Sequence, residues 1–153
     1  MAKITADEIR KLKEATGAPV MRAKKLLEEL NGNFKKAEEI LRKEGFEKVA
    51  KRADRATAQG LIETYVHHSG KVATMIELLS ETDFVARNEL FKELAHNLAL
   101  QLASVPAKDA KDFSKQDFIK DPSKKVEELV KEVIAKTGEN IQIGRIHRIE
   151  IGK

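Results

Sequence analysis

Cysteine is absent from the 153 residues. Disulfides, zinc–thiolate centres and thiol nucleophiles are excluded together. Tryptophan is also missing, and aromatic residues make up only 5% of the chain, which argues against a stacking platform for single-stranded nucleic acid. No apolar run approaches the ~20 residues of a membrane-spanning helix. The start, Met1-Ala2-Lys3-Ile4-Thr5, has neither an apolar signal region nor an Arg-rich transit pattern, so the expectation is a soluble, cytoplasmic protein with no membrane partner. Phosphate-cradling loops of the P-loop or Gly-x-Gly-x-x-Gly kind are lacking, and no serine has nucleophile-elbow glycines around it. Of the four histidines, His67 and His68 are adjacent in a strand-like run, point to opposite faces, and cannot share one ion without a kink. No pair of carboxylates is singled out by its surroundings. The sequence therefore reads as no enzyme, with no cofactor and no metal.

What is present is charge. Charged residues reach 35%, above the usual quarter, beside an apolar fraction of 41% that suffices for a packed core. The net charge is +4, and it is unevenly placed. Up to Ala58 there are 15 basic and 10 acidic residues, and after it 14 and 15. A phosphate-binding face needs a denser basic stripe, and here acids interleave, as in Lys35-Lys36-Ala37-Glu38-Glu39. A protein partner is preferred over direct nucleic-acid binding.

The first 46 residues read as three short helices. Thr5-Ala6-Asp7-Glu8 is a capping box flanked by Ile4 and Ile9. Gly17 follows the helix end, and Pro19 suits the first turn of a second helix carrying Val20, Ala23, Leu26, Leu27 and Leu30. Asn31-Gly32 stops it. Asn33 caps a third helix, which Gly45 is expected to end, with Phe46 packing back on Leu41. Residues 47–59 read as a polar, alanine-rich connector, helical or loosely helical, and Gly60 marks a change of period.

Residues 60–153 read as an α+β core, a small antiparallel sheet packed with helices. Leu61 to His68 and Val72 to Leu79 form a hairpin around Ser69-Gly70. A helix is expected from about Asn88 to Ser104. Residues 106–121 form a loop pinned by Phe113 and Phe118. Asp121-Pro122 should open another helix, ended by Thr137-Gly138. The strand from Ile141 to Ile151 carries five Ile, and its alternation slips at Gly144, where a bulge is expected.

Between hairpin and helix lies Thr82-Asp83-Phe84-Val85. A Phe in such a loop is usually core, and Asp83 reads as a helix cap. The alternative is an exposed aromatic wedge beside a carboxylate.

Two motifs carry a resemblance: Leu12-Lys13-Glu14-Ala15-Thr16-Gly17-Ala18-Pro19-Val20-Met21-Arg22-Ala23-Lys24-Lys25 and Ile76-Glu77-Leu78-Leu79-Ser80-Glu81-Thr82-Asp83-Phe84-Val85-Ala86-Arg87-Asn88. With the tail Ile134 to Ile141 they resemble the bacterial elongation factor Ts family. The resemblance implies a ubiquitin-associated-like helical module followed by an α+β core. It implies guanine-nucleotide exchange on the translational GTPase elongation factor Tu, bound in its GDP and nucleotide-free forms. Asp83 and Phe84, with Thr82 and Val85, are implied to reach the partner's magnesium and phosphate site. Val20, Met21 and Lys24, with Lys13, are implied to grip a helix of its G domain. Ala23 stands where the motif has Cys, and Leu79 where a polar residue is common. The stretch from Ser104 to Asp121 is shorter than in long members, which have a second core subdomain, so a homodimer is expected to restore one. The rival readings are a ubiquitin-associated-like adaptor or nascent-chain binder using the helical module alone, and an RNA binder using the basic connector.

Overall fold

The computed structural model describes residues 3–153; Met1 and Ala2, part of the start read above, lie outside the described residues. Helix α1 (Ala6–Thr16) begins at the capping box, with Thr5 accepting from the Glu8 N–H and the Glu8 carboxylate accepting from the Thr5 N–H. It ends at Gly17, which is left-handed at φ 72°. A Cβ there would stand 2.8 Å from the Lys136 Cα, so glycine serves both the turn and a close approach to a distant helix. Helix α2 (Val20–Glu29) starts one residue after Pro19, whose backbone forms its N-cap. Leu12, Ala23, Leu26, Leu27, Ala37 and Leu41 form the apolar centre of this N-terminal part.

Helix α3 (Phe34–Arg52) departs from expectation. Asn33 caps it as foreseen, accepting from the Lys36 N–H at 3.2 Å. Gly45, however, does not end it. Glycine is the weakest non-proline helix former, but the helix continues because its far half packs on α7 (Val126–Thr137). A Cβ on Gly45 would lie 3.4 Å from the Ala135 Cβ. Phe46 accordingly does not fold back in a C-terminal closure; it lies within α3, with the Lys131 ammonium 5.9 Å from its ring centre. Leu41 of α3 belongs to the N-terminal apolar cluster and Val49 to the second one. One helix thus joins both.

The second cluster is α+β. Strands β1 (Gln59–Val66), β2 (Val72–Ser80) and β5 (Ile141–Glu150) form an antiparallel sheet in the order β1-β2-β5. Gly60, the second residue of β1, has φ 152°, and a Cβ there would come within 2.1 Å of the Leu78 carbonyl oxygen, so no other residue fits without backbone movement. The bulge falls where the alternation slips: Ile76 pairs Ile146 and Leu78 pairs Ile143. Glu77 therefore faces both Gly144 and Arg145, and its carboxylate accepts from the Arg145 N–H at 3.2 Å and pairs the guanidinium at 2.9 Å. Strand β1 ends two residues early. His67 and His68 lie beyond it, strand alternation does not apply to them, and their ring centres sit 4.1 Å apart.

Helix α5 (Glu89–Ser104) lays Phe91, Leu94, Ala95, Leu98 and Leu102 into the core against the sheet. The expected loop of 106–121 has internal structure: helix α6 (Ala110–Ser114) and a two-stranded ribbon of β3 (Asp117–Phe118) and β4 (Asp121–Lys125). Phe113 and Phe118 are buried as expected. Fully buried Gln101 adds a polar pin, its amide donating to the Asp117 carbonyl and accepting from the Ile119 N–H. Asp121-Pro122 does not open α7. The Asp121 carboxylate accepts from the Ser123 N–H and hydroxyl, a local turn that competes with helix. Helix α7 starts five residues later, at Val126. Among the described residues no helix is long and apolar enough to cross a membrane.

Candidate partner-binding sites

Thr82-Asp83-Phe84-Val85 is neither plain loop nor core. It forms α4 (Asp83–Ala86), a single helical turn whose N-cap is Thr82 and not Asp83. The Thr82 hydroxyl accepts from the Val85 N–H at 3.4 Å. Val85 and Ala86 are buried and anchor the turn in the core. Phe84 points the other way and is 83% exposed. Full exposure of a phenylalanine forfeits most of its burial free energy, about 1.5–3 kcal/mol, so the ring contributes little to folding. Asp83 beside it pairs with Arg87, one turn on. The pattern base rate that places such a Phe in the core therefore fails here, because the helical turn spends its two buried positions on Val85 and Ala86.

The turn's root is held from several sides. The Ser80 hydroxyl donates to the Thr82 carbonyl at 2.9 Å. The Glu139 carboxylate accepts from the Thr82 N–H at 2.9 Å and from its hydroxyl at 2.6 Å. The preceding residue, Glu81, accepts from the Asn140 N–H at 2.7 Å and faces the Arg55 guanidinium at 3.5 Å. The buried Asn140 amide donates to the carbonyls of Ala53 and Arg55 at 3.4 and 2.9 Å. Glu81, Glu139 and Asn140 lie within the stretches that carry the resemblance, but the sequence assigned them no role. They follow no periodicity, and only their position just after the Gly138 helix end set the last two apart.

The second set of residues lies on the N-terminal helices. Met21, 72% exposed, and Lys24 stand three apart on one outward side of α2. Val20 is at the edge of the buried stripe and half exposed. Lys13 is exposed on the last turn of α1. Behind this surface, Arg22 of α2 forks onto Glu44 of α3, with Nε donating to Oε2 at 3.1 Å and a second donor on Oε1. The guanidinium holds the Glu44 carboxyl below the usual glutamate range, against a smaller opposing effect of burial. The structure thus gathers Thr82, Asp83, Phe84 and Val85 on one turn and Val20, Met21 and Lys24 on one helix. The two sets sit on different apolar clusters. Among the described residues no group of three or more His, Cys, Asp or Glu is arranged to hold a metal ion.

An uncapped aromatic on a braced turn and an exposed Met–Lys surface are features for protein recognition, with large apolar anchors near charge. Comparison with known proteins specifies the kind. The family model described as Elongation factor TS matches residues 81–153. Elongation factor Ts of Thermotoga maritima is 40% identical over 194 aligned positions, covering 99% of this chain and 98% of that protein. Elongation factor Ts of Finegoldia magna is 37% identical, covering all of this chain and 92% of the relative. A protein of Guillardia theta named Elongation factor Ts, chloroplastic, is 36% identical over 99% of this chain. These alignments are longer than the 153 residues of the chain, so the relatives carry residues with no counterpart here. With identity of this order running from end to end, the chain belongs to the elongation factor Ts family and acts in translation elongation.

Proposed function

We propose that this protein is a guanine-nucleotide exchange factor that binds elongation factor Tu and promotes GDP release by perturbing its magnesium and phosphate site. The observation that carries the reading is the exposed Phe84 ring on a turn whose other side is fixed in the core. A rigidly presented apolar wedge spends little binding energy on its own ordering. Phe84 enters the partner's G domain, Asp83 supplies the polar neighbour, and Thr82 and Val85 hold the turn. Met21, Val20 and Lys24, with Lys13, form the docking grip. Residues 1–46 act as the docking module, 47–59 as connector and 60–153 as the core. No bond is made or broken by the factor, so it is no enzyme and needs no cofactor. Its place of work is the cytoplasm, with the GTPase and not RNA as the direct partner.

The cycle follows from linkage. If the factor weakens GDP binding by some factor, GDP weakens the factor's binding equally, typically ~5- to 150-fold. The entering GTP therefore expels it. A homodimer fits the same reading. The outward sheet face carries exposed Ile62, Val66, Met75 and Ile149, which a second copy would cover across a two-fold axis.

The direct test is release of a fluorescent GDP analogue from elongation factor Tu. The expected result is a saturable acceleration on adding this protein. Unchanged release at saturating concentration would overturn the reading, and capture of ubiquitin-like or nascent chains without the GTPase would favour the adaptor.

A further inference from the structure

We propose that Glu139, at the corner between α7 and β5, is the positioning residue of the Phe84 turn; this rests on the exchange reading above. Both its carboxylate oxygens are committed to one residue, Thr82, through the backbone N–H at 2.9 Å and the hydroxyl at 2.6 Å. A threonine hydroxyl has a single proton. With that proton drawn to Glu139, the lone pairs of the oxygen turn towards the Val85 N–H, which is where the cap of α4 is made. The carboxylate thereby selects the hydroxyl orientation that closes the helical turn, and the turn sets the direction of Phe84.

The next residue extends the arrangement. Asn140 donates its backbone N–H to Glu81 and its buried amide to the Ala53 and Arg55 carbonyls just past the end of α3. Two consecutive residues of one corner therefore hold two consecutive residues of the Phe84 segment and the helix that leads to the N-terminal module. The corner sets where the wedge stands relative to the Met21–Lys24 surface. Such placement matters because a binding energy drawn from two separated contacts is realised only when both are met together. Global stability is anchored elsewhere, in buried Val85, Ala86 and Ile141, so the carboxylate governs direction more than folding.

The test uses the full chain with Glu139→Ala and Glu139→Gln, each alone and combined with Phe84→Ala. Glu139→Ala is expected to slow GDP release from elongation factor Tu about tenfold, the value of one hydrogen bond to a charged group. Its melting temperature should fall by no more than about 3–5 °C, so that the variant stays fully folded at the assay temperature. Glu139→Gln keeps one acceptor oxygen and should recover part of the loss. In the Phe84→Ala background the Glu139 substitution should cost almost nothing further, since no wedge is left to direct. In the free protein, amide hydrogen exchange at Thr82 and Val85 should accelerate in Glu139→Ala. Wild-type exchange by Glu139→Ala, the same fold-loss with and without Phe84, or a loss explained by a lower folded fraction would each overturn the assignment. If the wild type itself fails to speed GDP release, the exchange reading falls separately. Unchanged Thr82 and Val85 protection would then also refute the role of Glu139 in ordering the turn.

Discussion

Phe84 is the side chain on which exchange and stability separate most cleanly. Removing a ring that is 83% exposed should change stability by no more than about 0.5 kcal/mol, as for other surface substitutions. If the ring is buried in the partner, Phe84→Ala forfeits about 1.5–3 kcal/mol of burial, or roughly 10- to 150-fold in affinity. The expected outcome is an unchanged melting temperature with exchange on elongation factor Tu largely lost. A melting temperature several degrees lower, with normal exchange per folded molecule, would return the ring to the core. The site was only half legible here. Sequence pattern found the segment, because a strand-to-helix junction with a lone Phe stands out. It offered Asp83 as the cap, because Asp is at least as good a helix cap as Thr; the structure gives the cap to Thr82, whose hydroxyl also donates to Glu139, 57 residues away.

At the scale of elements, α3 gives a test of sign. Had Gly45 ended the helix in a left-handed conformation, alanine there would be strained. In the middle of a helix, with open contact to Ala135 at 3.4 Å, Gly45→Ala should instead stabilise by about 0.5–1 kcal/mol. For a chain of this size that raises the melting temperature by about 1–4 °C, measurable by thermal denaturation; a drop would contradict the continuous helix. The α2–α3 pairing gives a second test. Glu44 titrates below its ordinary range because Arg22 forks onto it. A carboxylate depressed in the folded state contributes stability that is full above its unfolded value, about 4.3. That contribution is lost as pH falls through the lower folded value. Wild type should therefore melt higher than Glu44→Gln at neutral pH, and the gap should close in acid. A gap that persists unchanged to about pH 2 would show that Glu44 acts without its charge. The starts of α1, α3 and α5 and the bulge at Gly144 were readable because caps and period breaks are local. The continuity of α3 through Gly45 into the helical connector and the delay of α7 to Val126 were not, since packing on α7 and the turn at Asp121 override propensity.

For the whole molecule, assembly is the open consequence of the sheet. Its order, β1-β2-β5, leaves β1 and β5 as edges among the described residues, and unpaired edges invite association. Ile149 is 73% exposed and Val66 65% exposed on the same outward face. A reversible, concentration-dependent dimer is expected, with no cysteine to lock it. Light scattering over a dilution series should give a mass above 17.2 kDa that falls on dilution, and Val66→Lys should shift the transition to higher concentration. A constant monomer mass at high micromolar protein would rule the dimer out.

The helix shared by both apolar clusters has a thermal consequence. Leu41 and Val49 are two turns apart on one continuous rod. Neither cluster can let go of its end without loosening the frame on which the other is packed. The N-terminal helices and the α+β part are therefore expected to melt as one cooperative unit, and differential scanning calorimetry should show a single endotherm. The backbone amides of α3 between Leu41 and Val49 should then exchange only through opening of the entire molecule, and faster exchange there than in the sheet would count against it.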